Sequence, residues 1–110
     1  MKKPNIITRN IGENRSKRRV WIEGKSLETG GWLTGHRYQR EEINGGFKLT
    51  KIENGKLKIA GKPGRPIIDL CGGYVAKALV GYEKVTVTIE PNSIIIKGAS
   101  AIAALATLAA

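Results

Sequence analysis

The side chains with the clearest chemistry in this sequence are its lysines and arginines. The 110-residue chain carries 19 Lys and Arg against nine Asp and Glu, a formal net charge of +10. Residues 1–65 hold 16 of the basic and six of the acidic side chains, whereas residues 66–110 hold three of each. Such a surface favours a polyanion as partner, because neutralising phosphates releases condensed counterions. The alternative is charge that serves solubility or a disordered tail.

The basic residues that we predict to bind nucleic acid come from the N-terminal segment and from the segment that follows it. Arginine can fork onto a phosphate or a guanine edge, and the pattern does not identify a base that would be read. The predicted nucleic-acid-binding residues are Lys2, Lys3, Arg9, Arg15, Lys17, Arg18, Arg19, Lys25, Arg37 and Arg40.

Patterns for metal or cofactor binding are sparse. His36 is the only histidine and Cys71 the only cysteine, so no pair of these residues stands at metal-ligand spacing. We therefore expect no metal, no cofactor and no assigned catalytic residue. The segment IIDLCGG resembles the glycine loop of nucleotide-binding sites, but VTVTIEPNSIIIK after it is typical of a hairpin, not of a Rossmann fold. Gly72 and Gly73 thus predict a tight strand-to-helix turn.

Two acidic residues leave an enzymatic alternative open. Glu23 and Asp69 stand at matching places of two similar stretches and could act in general acid-base chemistry. Alternatively, they cap the turns that follow or pair with Arg19 and Arg65. We favour the structural role, and with it a protein that is not an enzyme.

Composition bounds the domain count and the compartment. The length fits one compact domain, and a single cysteine excludes an internal disulfide, which suits a reducing cytoplasm. The start MKKPNIITRN lacks the apolar run of a secretory signal, and no run of about 20 apolar residues occurs. We expect a cytoplasmic protein without a membrane partner, nucleoid-associated if it binds DNA.

Turn and cap residues predict the elements. NIGENRSKRR has little apolar periodicity and indicates a basic flexible arm. RVWIEGKSLETGGWLTGHRY, residues 19–38, predicts a strand, a helical turn capped by Ser26 and an end of that turn at a left-handed Gly35. HRYQREEI and FKLTKI then predict two strands around the hairpin turn NGG.

The same layout recurs 46 residues later in RPIIDLCGGYVAKALVGYEK, followed by the hairpin turn EPNS. The shift aligns Glu23 with Asp69 and Gly35 with Gly81. The predicted boundaries are a basic arm at 1–18, a single domain at 19–97 with repeat units 19–52 and 65–97 and a connecting strand 53–64, and an Ala-rich helical tail or linker at 98–110.

The segment EGKSLETGGWLTGHRYQREEINGGFKLTK resembles the swapped-hairpin units of the AbrB and MazE class, and more closely SymE-type proteins. Gly31, Trp32 and Gly35 match the centre of that unit. The chain departs from it at Thr34, where AbrB-type units usually have proline, and at His36, where they often have aspartate. The second stretch is similar through ALVG and SIIIK.

The resemblance implies a fold: a mainly β protein with short helices, built from two β-α-β-β units that interlock as a pseudo-two-fold swapped-hairpin β-barrel. One such unit cannot bury both faces of its hairpin, so the two units of this chain would complete each other. The expected core residues are Val20, Ile22, Phe47, Leu49, Ile67, Ile68, Val85, Val87, Ile94 and Ile96. Trp21 and Trp32 are also expected in the core rather than as base-stacking platforms.

Charge and resemblance together favour duplex DNA over RNA. The expected protein is a non-enzymatic DNA-binding module, either a regulator or the N-terminal recognition domain of a larger DNA-modifying protein such as a methyltransferase. The alternatives are a SymE-like RNA-cleaving toxin and a protein-interaction module.

The ending GASAIAALATLAA predicts a helix capped by Ser100, because alanine is the strongest helix former. Its apolar stripe at Ile102, Leu105 and Leu108 indicates self-association or a fused domain through residues 99–110, with packing onto the domain itself as the alternative.

Overall fold

The computed structural model describes residues 5–101. This part of the chain is mainly β, as the sequence predicted, with ten strands and two short helices. The elements are β1 (Asn5–Asn10), β2 (Gly12–Asn14), β3 (Lys17–Glu23), α1 (Lys25–Thr29), β4 (Arg37–Ile43), β5 (Gly46–Lys51), β6 (Leu57–Lys58), β7 (Ala60–Lys62), β8 (Arg65–Cys71), α2 (Gly73–Ala78), β9 (Tyr82–Ile89) and β10 (Ser93–Ala101).

The strands form two antiparallel sheets. The large sheet has the order β1-β9-β10-β5-β4-β6, and the small sheet has the order β2-β3-β8-β7. Over residues 5–101 the hydrogen bonding leaves these as two open sheets, so the closed barrel expected from the sequence is not formed.

The small sheet consists of two hairpins joined side by side. β2 and β3 are connected by Arg15 and Ser16, both with positive φ (52° and 67°), as a type I′ turn requires. β7 and β8 are connected by Pro63 and Gly64. The hairpins meet where β3 pairs with β8, with Trp21 opposite Asp69.

Reciprocal hydrogen bonds relate the first part of the chain to the second. The Gly24 N–H donates to the Pro66 carbonyl (2.9 Å), and the Gly72 N–H donates to the Arg18 carbonyl (3.2 Å). Gly72 follows Gly24 by 48 residues, and Pro66 follows Arg18 by the same number. Each of the two strands, β3 and β8, therefore makes the equivalent hydrogen bond to the other, as in a two-fold arrangement.

The repeat is therefore longer and differently aligned than the sequence predicted. A shift of 48 matches the β2–β3–α1 segment to β7–β8–α2, so Glu23 corresponds to Cys71 and not to Asp69. The predicted shift of 46 holds only around Gly35 and Gly81, which both have positive φ.

The N-terminal segment and the connecting segment also correspond to each other. The Ile11 N–H donates to Glu83 and the Ile59 N–H donates to His36, both at 2.9 Å. β1 pairs with β9, and β6, 48 residues after the end of β1, pairs with β4. The expectation of an irregular arm over residues 1–18 is wrong for Asn5–Asn10, which forms β1, for Gly12–Asn14, which forms β2, and for residues 17–18, which begin β3.

The core lies between the sheets and under the helices. Nine of the ten predicted core residues are buried, and Trp32 is also fully buried. Ile67 is the exception, because it lies on the outer face of the small sheet opposite Glu23. Trp21 is only half-buried for the same reason. Further buried side chains are those of Leu27, Tyr38, Ile59, Leu70, Val75, Leu79 and Ile89.

Two predicted boundaries differ in the structure. α1 begins at Lys25 after Gly24, whose φ of 78° lies in the left-handed region, so Ser26 is inside the helix and is not its cap. β10 continues to Ala101 and pairs with β9 there, so the backbone of residues 98–101 belongs to a strand and not to the predicted tail. The remaining predicted tail, residues 102–110, lies outside the described residues, as do Lys2 and Lys3. None of the helices described here is long and apolar enough to cross a membrane.

Candidate functional site

The candidate site is the outer face of the small sheet, which we call the basic face. Residues directly opposite each other on paired strands share a face, and Val20, Ile22, Ile68 and Leu70 occupy the buried one. The alternate positions therefore face outwards. The basic face consists of Asn14, Lys17, Arg19, Trp21, Glu23, Lys62, Arg65, Ile67, Asp69 and Cys71, with Arg15 in the turn beside it.

An ion pair stacked on an aromatic ring lies at the centre of this face. Arg19 donates to Asp69 through Nε (2.8 Å to Oδ1) and Nη2 (3.1 Å to Oδ2), and its guanidinium carbon is 4.2 Å from the centre of the Trp21 ring. The hydrogen bond to Asp69 raises the pKa of Arg19. The side chains of Arg19 and Asp69 remain 28% and 36% exposed, so water screens the pair and a ligand can reach it.

The two ends of the basic face are positively charged. Lys17 opens β3 and Arg65 opens β8, and both are exposed. They are 48 residues apart and so occupy equivalent positions of the two hairpins. Arg15 adds charge at the first end and Lys62, paired with Arg65, adds charge at the second.

A shallow depression lies at the second end of the face. Its volume is about 330 Å³, and it is lined by Glu23, Gly61, Lys62, Arg65 and Ile67. The hydroxyl of Thr34 donates to the Lys62 carbonyl (2.9 Å), which fastens the loop after α1 to β7. The sequence prediction did not include Lys62 or Arg65 among the binding residues. A search at a shift of 48 would have found Arg65, because it aligns with Lys17.

Arg18 is the clearest correction among the predicted binding residues. It shares the inner face of β3 with Val20 and Ile22, and its guanidinium donates to the carbonyls of Leu79 (2.9 Å) and Tyr82. Arg18 thus fastens the end of α2 and the start of β9 to the small sheet, and its side chain does not belong to the basic face.

The other predicted residues are dispersed. Arg9 on β1 donates to the Thr8 carbonyl (3.1 Å), and Lys25 is exposed at the start of α1. Arg37 on β4 donates to the Gly55 carbonyl (3.2 Å). Arg40 lies with its guanidinium carbon 4.1 Å from the centre of the Tyr74 ring, near a second depression of about 340 Å³. Of the ten predicted residues, the structure brings together Arg15, Lys17 and Arg19.

A second basic surface is the outer face of the large sheet. Lys48, Lys84 and Lys97 lie there, on β5, β9 and β10, among threonines and next to Glu41. These three residues are all lysines, whereas the basic face combines Lys17 and Lys62 with Arg15, Arg19 and Arg65, and arginine is the better donor for paired contacts with phosphate. This surface provides the matched control for the basic face.

The polar groups considered for catalysis have structural partners or stand apart. His36 Nδ1 accepts the Leu33 N–H (3.1 Å), and Asp69 is held by Arg19. Glu23 is exposed and lines the depression at the second end of the basic face. Within residues 5–101 no group of three His, Cys, Asp or Glu residues could hold a metal ion.

Two perturbed groups lie on the inner side of the β4–β5 hairpin. Burial lowers the pKa of Lys51, whose Nζ donates to the Gly31 carbonyl (2.7 Å) and is 5.1 Å from the centre of the Trp32 ring. Burial also raises the pKa of Tyr38, which packs edge-on against Trp32. Both side chains position the loop after α1 and are remote from the basic face in the pairing pattern.

No protein-family model matches the chain, and no curated protein or solved structure is significantly similar to it.

Proposed function

We propose that the chain is a non-enzymatic nucleic-acid-binding module whose ligand is duplex DNA, bound across the basic face. It acts as a regulator or as the recognition domain of a larger DNA-modifying protein such as a methyltransferase. The observation that carries the proposal is the pair of exposed basic ends, Lys17 with Arg15 and Arg65 with Lys62, at equivalent positions of one solvent-facing sheet.

The strand pairing supports a swapped-hairpin relationship of the AbrB and SymE type. β3 pairs with β8, and the hairpin β4–β5 joins the hairpin β9–β10 through the pairing of β5 with β10. Each unit thus places the strand before its helix, and its hairpin, against those of the other unit, which is the arrangement that the resemblance implies for interlocking units. We infer that the chain is a single-chain, pseudo-two-fold version of that fold.

The dimensions of the basic face suit a duplex. Lys17 is four residues before Trp21, and Arg65 is four residues before Asp69 on the antiparallel neighbour, so the ends lie eight residue steps apart, about 26 Å at 3.3 Å per residue. Phosphates follow one another about every 3.4 Å along one strand. The face therefore spans the axial length of about eight base pairs.

The test is a binding titration followed by fluorescence anisotropy. The wild-type chain should bind a labelled duplex more tightly than single-stranded DNA or RNA, with an affinity that falls steeply with salt. The variant Lys17→Ala/Lys62→Ala/Arg65→Ala should bind every duplex roughly tenfold or more weakly, because three phosphate contacts are lost. Its slope of log affinity against log salt should be shallower by about 2.7.

The matched control is Lys48→Ala/Lys84→Ala/Lys97→Ala, which removes the same charge from the large sheet. Its affinity should stay within about threefold of wild type, since only long-range attraction changes. A larger loss in the control than in the test variant would overturn the basic face as the site. Cleavage of the RNA would favour the RNA-cleaving toxin, and absence of all nucleic-acid binding would favour the protein-interaction module.

A further inference from the structure

We propose that the DNA site read by the basic face is not palindromic, although the sheet that reads it is built from two equivalent hairpins. This inference rests on the proposed function and specifies the class of ligand: a duplex site whose two halves differ in sequence. It follows from a comparison of the residues that the shift of 48 makes equivalent.

The outer positions of the face are alike in both halves. Lys17 and Arg65 are both basic, both exposed and both the first residue of their strand. A lysine or arginine at such a position contacts phosphate, and phosphate contacts fix orientation without reading sequence. The two ends therefore anchor the chain symmetrically.

The inner positions differ in every pair. Arg19 corresponds to Ile67, Trp21 to Asp69 and Glu23 to Cys71, and all six side chains lie on the basic face. One half thus offers a guanidinium, an indole and a carboxylate, whereas the other offers an aliphatic group, a carboxylate and a thiol. These chemistries prefer different base edges: arginine donates to guanine, a carboxylate accepts from cytosine, and an apolar group contacts the thymine methyl.

The centre of the face is narrow enough for these residues to approach a groove. β2 pairs only with residues 17–19 of β3, and β7 pairs only with residues 65–67 of β8. Around the facing pair Trp21 and Asp69 the sheet is consequently two strands wide, and the major groove admits a two-stranded ribbon. Trp21 and Asp69, which differ between the halves, are thus placed to enter a groove, and the other four differing residues flank them on the same face.

Chemical asymmetry at the centre excludes equal recognition of two identical half-sites. Palindromic operators mirror a true two-fold axis in the protein, where each half presents the same side chains. Here the approximate two-fold axis that relates β3 to β8 passes between the Trp21 indole and the Asp69 carboxylate. The Arg19 side chain of the first half reaches across this axis to bind Asp69 of the second half. The turns at the ends differ as well, with Arg15 and Ser16 in one and Pro63 and Gly64 in the other.

Selection from a randomised duplex library with the full chain tests this inference. We expect a motif without dyad symmetry, one half of which tolerates changes that the other does not. Two synthetic inverted repeats, each built from one half of that motif, should bind at least tenfold more weakly than the selected site. A palindromic motif, a selection that yields no motif, or equal binding of the inverted repeats would each overturn the inference while leaving DNA binding intact.

A substitution on one side of the axis provides a second measurement. Trp21→Phe keeps an aromatic ring and should alter base preference in one half of the motif only, whereas Lys17→Ala should weaken binding to all sequences by the same factor. An equal change of preference in both halves with Trp21→Phe would contradict the proposal. If the wild-type chain binds no DNA, the proposed function itself fails.

Discussion

Three consecutive basic residues on β3 have three different tasks. Lys17 is exposed at the end of the basic face, Arg18 turns inwards to two backbone carbonyls, and Arg19 binds Asp69 over the ring of Trp21. Composition treats the three as equivalent charges, but the alternation of the strand separates them. Since Arg18 stands two residues before Val20 and four before Ile22, its inward direction follows from the period of the strand.

The inward direction of Arg18 predicts a large effect on stability. Arg18→Ala should lower the free energy of unfolding by about 2 to 4 kcal/mol, because it removes charge-assisted hydrogen bonds and leaves the carbonyls of Leu79 and Tyr82 without these donors. Lys17→Ala is the neighbouring control and should change stability by less than about 0.5 kcal/mol. Urea unfolding followed by circular dichroism measures both.

In DNA binding the order of the two variants should be reversed, with Lys17→Ala losing more affinity than Arg18→Ala. Lys17→Ala should lose affinity while remaining stable, whereas folded Arg18→Ala should retain most of the wild-type affinity. A stable Arg18→Ala protein that no longer binds DNA would show that this guanidinium contacts the ligand after all.

At the scale of the elements, close strand approach depends on small residues at a few positions. Gly46 begins β5 and is buried opposite Lys97 of β10, and a Cβ there would overlap the Ile96 carbonyl oxygen. Gly73 begins α2, and a Cβ there would meet nothing within 4 Å. A side chain at position 46 would therefore clash with β10, whereas the structure has room for one at position 73.

Alanine substitution at these positions tests the pairing of β5 with β10. Gly46→Ala should destabilise the protein by about 2 kcal/mol or more, because the strands must separate to admit the methyl group. Gly73→Ala should stabilise it by about 0.5 kcal/mol, because alanine restricts the unfolded chain and favours the helix. Thermal unfolding of both variants beside wild type gives the comparison. A neutral Gly46→Ala would mean that β5 and β10 are further apart than the structure has them.

The sequence predicted the elements that are determined by neighbouring residues, such as tight turns and the strands beside them. The turns at Asn44–Gly45 and Pro91–Asn92 and the strands around them are confirmed, because two-residue turn chemistry and apolar alternation occur together there. β1 was missed for a physical reason: its inward positions include Asn5 and Arg9 beside Ile7, so the apolar alternation is weak. Its pairing with β9 spans most of the chain and leaves no local mark.

The candidate site was predictable only in part for a similar reason. Arg15, Lys17 and Arg19 are adjacent in sequence, and their charge is visible there. Lys62 and Arg65 join them only because β3 pairs with β8. The correct register of the repeat, 48 over β2–β3–α1 and 47 over the hairpin that follows, was hidden because the loop between α1 and β4 differs in length from the loop between α2 and β9.

At the scale of the whole molecule, the two units, β1 to β5 and β6 to β10, are interlocked by strand pairing. Of the eight strand pairings in residues 5–101, the four hairpins lie within a unit, and the other four join the units: β1 with β9, β3 with β8, β5 with β10 and β4 with β6. A separated unit keeps only its hairpins, and isolated hairpins are marginally stable in water.

This arrangement predicts that two half-chains fold only together. The fragments 1–52 and 53–110 should each lack a cooperative unfolding transition, while an equimolar mixture should recover the circular dichroism spectrum of the intact chain and sediment as a one-to-one complex. The midpoint of its unfolding should rise with concentration, because association is then part of folding.

The mixed complex should also be preferred over a pair of identical first halves. In the intact chain Lys48 of β5 faces Ile95 of β10, a position 47 residues later. Two copies of fragment 1–52 in the same register would place Lys48 directly opposite Lys48, and like charges at facing strand positions are destabilising. Each copy would also carry 12 basic against five acidic side chains, so the two would repel each other. Sedimentation of fragment 1–52 alone at high and low salt tests this expectation. A stable dimer at low salt would contradict it. If such a dimer forms, Lys48→Ile should leave its dissociation constant unchanged, because the facing lysines would then not be destabilising it.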